Sequence, residues 1–151
     1  MPSITPFLWF DTQAEEAMNF YAGIFKRSKV LSVNKAGGKT MSVSFELEGQ
    51  KFMALNAGPV FKFNEAISFF VAVDTQQEID ELWDKLIAGG GSPSQCGWLK
   101  DKYGLSWQIV PNTLGRMLSD PDPDKSGRCM NAMLQMSKLD LGKLTAAFNG
   151  E

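Results

Sequence analysis

The sequence predicts an α+β protein built from two copies of one βαβββ unit and followed by a C-terminal helical segment. Two observations support this fold class: a strand–turn–helix pattern that recurs at a spacing of 63 residues, and short apolar runs separated by glycine turns behind each copy. We expect a single domain over residues 1–151, with repeat units at about 4–57 and 67–111 and the helical segment at about 114–149.

The repeat becomes visible when the segment that begins at Ile4, ITPFLWFDTQAEEAMNFY, is aligned with the segment that begins at Ile67, ISFFVAVDTQQEIDELWD. Identical residues then occupy six positions in register: Ile4/Ile67, Phe7/Phe70, Asp11/Asp74, Thr12/Thr75, Gln13/Gln76 and Glu15/Glu78. Apolar residues also match between these identities, so the alignment indicates a duplicated strand–helix unit.

Each copy begins with a run rich in aromatic and β-branched residues, which is typical of a buried strand. These runs are Ile4–Phe10 and Ile67–Val73, and each leads directly into a turn signal. Three more strands are expected behind each helix: Lys29–Asn34, Thr40–Leu47 and Lys51–Asn56 in the first unit, and a short strand near Ser92, Cys96–Lys100 and Leu105–Val110 in the second.

A helix is predicted after each first strand. The patterns Thr12-x-x-Glu15 and Thr75-x-x-Glu78 have the form of capping boxes, in which a threonine hydroxyl and a glutamate carboxylate satisfy the first free amides of a helix. Apolar residues then recur at i, i+3, i+4 and i+7, which predicts one buried helix face. The second helix is expected to end at the glycine run 89–91.

Composition limits the classes of function. The 15 basic and 17 acidic residues are spread along the chain, so no basic cluster predicts nucleic-acid binding. The longest apolar runs are too short for a membrane span, and the N-terminal segment lacks the pattern of a signal peptide. Two cysteines, Cys96 and Cys129, predict reduced thiols in the cytoplasm. The chain has no histidine, which excludes Ser-His-Asp and Cys-His catalysis and all histidine-ligated metal sites.

Three stretches resemble a known superfamily: FMALNAGPVFKFNEAIS (Phe52–Ser68), QCGWLKDKYGLSWQIVP (Gln95–Pro111) and RCMNAMLQMSKLDLGKL (Arg128–Leu144). Together with the doubled βαβββ unit, they resemble the vicinal oxygen chelate superfamily of glyoxalase I, bleomycin-resistance proteins and extradiol dioxygenases. Within it they are most similar to the branch labelled 3-demethylubiquinone-9 3-methyltransferase-like. The resemblance implies a cupped mixed sheet, the glyoxalase/bleomycin resistance/dihydroxybiphenyl dioxygenase fold, and commonly a homodimer whose units curl around a pocket.

The resemblance also implies four positions at which metal-using members carry ligands. These positions hold Ile4, Met53, Ile67 and Gln108, the last in a D-x-x-G-x-x-x-Gln pattern where the family has glutamate. Three of these side chains cannot bind a hard divalent ion, and one neutral amide cannot hold it alone. We therefore expect no metal and no other cofactor.

The methyltransferase label is not matched by a cofactor motif. A nucleotide-type cofactor site of the Rossmann class needs a glycine-rich turn between a strand and a helix. The glycines at 37–38 fit a hairpin turn, and those at 89–91 fit the end of a helix. The label is therefore a family name here and does not by itself predict methyl transfer.

Four residues are candidates for ligand binding, and each has a structural alternative. Gln108 could orient a ligand with its amide or be a strand-end amide bonded to backbone or water. Asn56 could contact a ligand or form a turn, and Cys96 could be a pocket thiol or a small buried side chain. Trp98 could supply a stacking surface or belong to the core.

Three functions are consistent with these observations. The first is a metal-independent, dimeric protein that binds a small apolar or aromatic molecule. The second is an enzyme of the same superfamily without a His-ligated metal, using Cys96, Lys100, Asp101 or Tyr103 as acid, base or nucleophile. The third is an interaction subunit whose pocket is filled by its own side chains. For the dimer, the methionine-rich C-terminal segment is expected at or beside the seam.

Overall fold

The computed structural model describes all 151 residues and shows an α+β chain with two four-stranded mixed sheets. The chain divides into two compact units, Met1–Lys62 and Phe63–Glu151. Each unit contains one βαβββ arrangement, which confirms the predicted fold class. Every helix falls short of the length or the hydrophobicity that a bilayer span requires.

The first unit consists of one helix and four strands. Its elements are β1 (Phe7–Phe10), α1 (Ala14–Ile24), β2 (Ser28–Ala36), β3 (Lys39–Leu47) and β4 (Gln50–Asn56). The strands lie in the order β1-β4-β3-β2. Strands β1 and β4 are parallel, whereas β4, β3 and β2 are joined as antiparallel hairpins. The helix therefore forms the crossover that a parallel pair requires.

The second unit repeats this topology and adds three helices. Its repeat comprises β5 (Ser68–Val73), α2 (Gln76–Ile87), β6 (Ser92–Pro93), β7 (Trp98–Lys100) and β8 (Ser106–Pro111), with strand order β5-β8-β7-β6. The helical segment comprises α3 (Thr113–Leu118), α4 (Pro123–Leu134) and α5 (Leu141–Asn149). The parallel pair is again the first strand with the last, β5 with β8.

The register of the two parallel pairs confirms the alignment of the repeat. Phe7 lies opposite Met53, and its counterpart Phe70 lies opposite Gln108. Met53 and Gln108 are therefore equivalent positions, as the resemblance implied. The strands begin later than predicted, however, because β1 begins at Phe7 and β5 at Ser68. Ile4 and Ile67 precede them and are 95% and 68% exposed.

The first predicted capping box is wrong. Helix α1 begins at Ala14 behind Gln13, which makes no side-chain cap, and the Glu15 carboxylate instead accepts a hydrogen bond from the Thr40 hydroxyl. The free amide of Ala14 donates to Oδ1 of Asn56, at 2.8 Å. A side chain that is distant in sequence thus takes the place of the local cap.

The second capping box is confirmed. The Thr75 hydroxyl accepts from the Glu78 amide at 3.2 Å, and the Glu78 carboxylate accepts from the Thr75 amide at 3.2 Å. A second difference concerns β7, which begins at Trp98 because Cys96 has a positive φ of 59° that a strand cannot contain.

Each helix covers one face of its own sheet. In the first unit Tyr21 of α1 packs near Phe45, whose ring stacks on Phe52 with centroids 5.5 Å apart. In the second unit α2 buries Ile79, Trp83 and Leu86, and the sheet buries Leu99, Trp107 and Ile109. Burial of each of these large core side chains contributes roughly 1.5–3 kcal/mol to stability. We call the side of each sheet that lies opposite its own helix the open face.

Asp101 holds the turn between β7 and β8. Asp101 is only 3% exposed. Its Oδ1 accepts hydrogen bonds from the amides of Tyr103 at 2.9 Å and Leu105 at 3.0 Å. Oδ2 accepts from the indole Nε1 of Trp107 at 3.0 Å. These hydrogen bonds stabilise the buried carboxylate and fix the start of β8, the strand that carries the open-face residue Gln108.

We predict that Asp101→Ala lowers the free energy of unfolding by about 2–4 kcal/mol, because it leaves buried donors of the turn and of Trp107 without an acceptor. Urea denaturation followed by tryptophan fluorescence measures the change. Asp84→Ala is the matched control, since Asp84 is an exposed carboxylate on α2, and it should alter stability by less than about 0.5 kcal/mol. Equal stability of the two variants would refute the structural role of Asp101.

Candidate functional site

Three side chains form a row across the open face of the second sheet. Gln108 in β8 lies opposite Phe70 in β5 on one side and opposite Trp98 in β7 on the other. Residues that are directly opposite in neighbouring strands project from the same face. Phe70 is 60% exposed, while Trp98 and Gln108 are half-buried. The row therefore presents an amide between two aromatic rings.

The polar atoms of this row retain hydrogen-bonding capacity. Nε2 of Gln108 donates to Oγ of Ser68 at 2.9 Å, which orients the amide and directs Oε1 away from that hydroxyl. Trp98 makes its protein hydrogen bonds through its backbone, so its indole N–H remains available as a donor. The row thus offers one oriented acceptor and one donor beside apolar surface.

A second, polar row lies next to the first. Ser106 pairs with Ser68 of β5 and with Lys100 of β7. The Ser106 hydroxyl is buried and has no hydrogen-bond partner. Lys100 forms an ion pair with Glu65, and this hydrogen bond lowers the pKa of the exposed Glu65 carboxyl. Leaving such a buried hydroxyl unpaired costs about 1–3 kcal/mol.

Cys96 lies at a structural joint before β7. Its amide donates to the carbonyl of Met136 at 2.8 Å, and the amide of Gly97 donates to the carbonyl of Ser137 at 2.8 Å. Gly97 has a φ of 87°, and a Cβ there would lie 3.0 Å from Leu139, so the position favours glycine. These two hydrogen bonds attach the C-terminal segment to the chain directly before Trp98.

The other thiol is distant from any open surface. Cys129 is buried in the helical segment, and this burial raises the pKa of its thiol above the ordinary value. Both cysteines are free. A raised pKa lowers the thiolate fraction at neutral pH, so the buried Cys129 is an unreactive residue of the core.

Asn56 lies at the end of β4 in the first unit, and both ends of its amide are bonded. Oδ1 caps α1 at the Ala14 amide, and Nδ2 donates to the carbonyl of Thr40 at 3.1 Å. The structure thus brings Trp98 and Gln108 together, places Cys96 at the margin of the same sheet, and uses Asn56 to hold the first unit. Phe70 was missed as a candidate, although its identity with Phe7 in the repeat is a signal that could have found it.

The open face of the first sheet has a different chemistry at equivalent positions. Phe7 is 53% exposed and lies opposite Met53, which lies opposite Ser44. The Ser44 hydroxyl already bonds to that of Ser32 at 2.6 Å. Apolar atoms and an engaged hydroxyl therefore replace the oriented amide and indole of the second unit.

The donor set does not fit a divalent metal. In the first unit, Ile4 is an exposed alkyl side chain and Met53 offers a thioether. In the second, Ile67 is again alkyl, and Gln108 offers one neutral oxygen. No three side chains of the acidic, cysteine or histidine type cluster anywhere in the protein. Hard divalent ions require several oxygen or imidazole ligands, so neither unit supplies a metal centre at these positions.

Asp101 and its neighbours define what acid–base chemistry the sheet can offer. The Asp101 carboxylate is committed to three donors of its own turn. Lys102 lies over the ring of Tyr103, with Nζ 5.4 Å from the centroid. Lys100 is the cationic group nearest to the row in the strand register, since it shares β7 with Trp98.

Comparison with known proteins identifies the family to which the chain is similar. A family model described as 3-demethylubiquinone-9 3-methyltransferase matches residues 2–110. A solved structure from Bacillus cereus, described as a putative 3-demethylubiquinone-9 3-methyltransferase and PhnB protein, is 34% identical; the match covers 73% of this chain and 99% of that one, with a TM-score of 0.68. No curated protein matches the chain.

More distant structures share the fold. A protein from Pseudomonas aeruginosa is 20% identical over 74% of this chain and 98% of its own, with a TM-score of 0.60. A fosfomycin resistance protein from Listeria monocytogenes, solved with Mn(II) and sulfate, is 11% identical over 72% of this chain and 91% of its own, with a TM-score of 0.55.

The family match ends within β8, so helices α3 to α5 lie beyond it. It spans both repeat units up to the penultimate residue of β8. The chain therefore belongs to the 3-demethylubiquinone-9 3-methyltransferase family, and it shares the fold of glyoxalase-related and bleomycin-resistance structures.

Proposed function

We propose that the protein binds a small apolar or aromatic molecule, without a metal, on the open face of its second sheet. The observation that supports this most directly is the row of Phe70, Gln108 and Trp98 in strict strand register. Exposed aromatic surface beside unpaired polar atoms is the usual composition of a small-molecule site.

The row defines what the ligand should look like. Two aromatic side chains flank the amide, so a planar apolar body can stack on either ring, and an aromatic pair is worth about 0.5–1.5 kcal/mol beyond burial. Oε1 of Gln108 accepts from a donor of the ligand, and the Trp98 indole donates to an acceptor. Of the other predicted site residues, Asn56 and Cys96 contribute by holding the backbone of each unit.

The alternative is an enzyme that uses no His-ligated metal. The family description, which names a methyltransferase, favours it. Within this chain Lys100, which is paired with the exposed Glu65, is the candidate acid–base group next to the row, because the Asp101 carboxylate is committed to its turn. The binding function and the enzyme share the same sheet face, and turnover of a bound ligand distinguishes them.

A homodimer is the proposed assembly. Large apolar side chains remain exposed in both units, and exposed apolar surface of this kind is typical of interaction sites where it is contiguous. They include Phe7, Leu31, Val33 and Met41 in the first unit and Phe70, Met130 and Leu134 in the second. A symmetric interface would cover part of this surface and bury about 1,200–2,000 Å² in total.

Free thiols at Cys96 and Cys129 support a reducing compartment, for which we propose the cytoplasm.

We predict that Phe70→Ala weakens the binding of aromatic ligands about tenfold, because it removes one stacking surface of the row. The ligands come from a thermal-shift screen of aromatic and quinone-like compounds, and affinities are measured by tryptophan fluorescence. Gln108→Leu should weaken only those ligands that carry a hydrogen-bond donor. Phe61→Ala, an exposed phenylalanine of the first unit, is the matched control. Unchanged affinity in Phe70→Ala would exclude the row as the site.

We predict that metal removal has no effect on ligand binding, because the open-face positions Met53 and Gln108 supply no ligand set for a hard ion. Protein purified without chelators should hold well under one zinc, nickel, iron or manganese ion per chain by elemental analysis. Affinity before and after dialysis against EDTA is the functional measurement. Stoichiometric metal that survives dialysis would contradict the prediction.

We predict a solution mass of about twice the 16.7 kDa of one chain, because a dimer interface would remove exposed apolar side chains from water. Light scattering at micromolar concentration measures it. Replacing exposed Met130 and Leu134 of α4 by glutamate should shift the mass towards one chain, whereas the same change at polar Asn131 should not. A mass of one chain for the unaltered protein would refute the dimer.

A further inference from the structure

The helical segment beyond the family match contains a cleft of its own. The cleft has a volume of about 430 Å³ and lies between α3 and α5. Small-molecule sites typically fall between about 300 and 1,000 Å³, so its size suits a small ligand. The lining comes from Thr113, Arg116, Met117 and Asp120 on one side and from Leu141, Thr145, Phe148 and Asn149 on the other.

The spacing of these residues shows that one face of each helix lines the cleft. The α5 residues stand at i, i+4, i+7 and i+8, and those in and after α3 at i, i+3, i+4 and i+7. Such spacing places side chains on a single helix face. The cleft therefore lies between one face of α3, continued by Asp120, and one face of α5, and both helices pack against α4.

The floor of the cleft is apolar and firmly held. Met117 is buried in the core cluster of the helical segment, which also contains Leu144 and Cys129, and Phe148 packs against that cluster. Arg128 of α4 donates to the carbonyls of Ala147 and Phe148, both at 2.9 Å. These bonds fix the C-terminal end of α5 and the Phe148 wall with it.

Two opposite charges lie at the cleft without being joined to each other. Arg116 is exposed and belongs to none of the ion pairs of the protein. Asp120 is half-buried, and its Oδ1 accepts only from the amide of Asp122, at 2.9 Å. The guanidinium is therefore available to a carboxylate, which it can bind in a bidentate manner. The second oxygen of Asp120 is available to a cation.

We propose that this cleft binds a free α-amino acid with an apolar side chain. The carboxylate of the ligand pairs with Arg116, its ammonium group pairs with Asp120, and its side chain lies on Met117 and Phe148. A zwitterion is the class of molecule that matches one cation and one anion beside an apolar floor. The proposal is independent of the sheet-face site, since the cleft residues all follow the last residue of the family match.

The test uses the full chain and three related probes: phenylalanine, 3-phenylpropanoate, which lacks the ammonium group, and phenethylamine, which lacks the carboxylate. Calorimetric titration measures the affinity of each. Phenylalanine should bind at millimolar concentration or below, and each truncated probe at least about fivefold more weakly, since one charge-assisted hydrogen bond is lost. Absence of saturable phenylalanine binding, or equal affinity for phenylalanine and 3-phenylpropanoate, overturns the proposal.

Two variants give a crossed pattern that misfolding cannot imitate. Arg116→Met should weaken phenylalanine and 3-phenylpropanoate about tenfold and leave phenethylamine unchanged. Asp120→Asn should reduce phenylalanine to the affinity of 3-phenylpropanoate and leave 3-phenylpropanoate no weaker. Arg27→Met in the first unit is the matched control and should change nothing. If Phe70→Ala abolishes phenylalanine binding instead, the amino acid occupies the sheet face, and the cleft proposal fails while the proposed function stands.

Discussion

Each repeat unit has one helix and a four-stranded sheet with two faces, and this imbalance controls the rest of the structure. The helix serves as the crossover between the parallel first and last strands, so it must lie on one side of its sheet. That side becomes the core, with Phe45 and Tyr21 in the first unit and Trp107 and Ile109 in the second. The opposite side is left with exposed phenylalanines at equivalent positions, Phe7 and Phe70.

Exposed apolar surface is costly in water, and a ligand or a partner that covered this face would lower that cost. In the second unit the face is also specified chemically. The parallel register places Gln108 beside Phe70, and the hairpin register places Trp98 on its other side. The turn at Asp101 fixes that hairpin, because its carboxylate holds both the turn amides and the Trp107 indole. Turn chemistry on the buried side thus positions the residues of the open side.

Much of the fold was predictable from local patterns, and the exceptions have identifiable causes. The second capping box formed as its sequence predicted, with Thr75 and Glu78 each bonded to the other's amide. In the first, Glu15 bonds to Thr40, and Asn56, 42 residues away, accepts from the Ala14 amide. A local sequence pattern contains no information about a side chain brought in by strand pairing. The same holds for Cys96, whose positive φ is set by its bonds to the C-terminal segment.

Only part of the candidate site was predicted from the sequence, for a similar reason. Trp98 and Gln108 stood out as residue types, but their adjacency to Phe70 depends on a parallel register that only the structure provides.

The two repeats have kept the same scaffold and exchanged the chemistry at matched positions. Where the second unit has an amide oriented by Ser68 and a free indole, the first has the thioether of Met53 and the hydroxyl of Ser44, already bonded to Ser32. A directional hydrogen bond to a ligand can therefore come from the second sheet, whereas the first contributes apolar contact. The two faces therefore occupy equivalent positions in the repeat, and the second alone carries an oriented amide beside an indole.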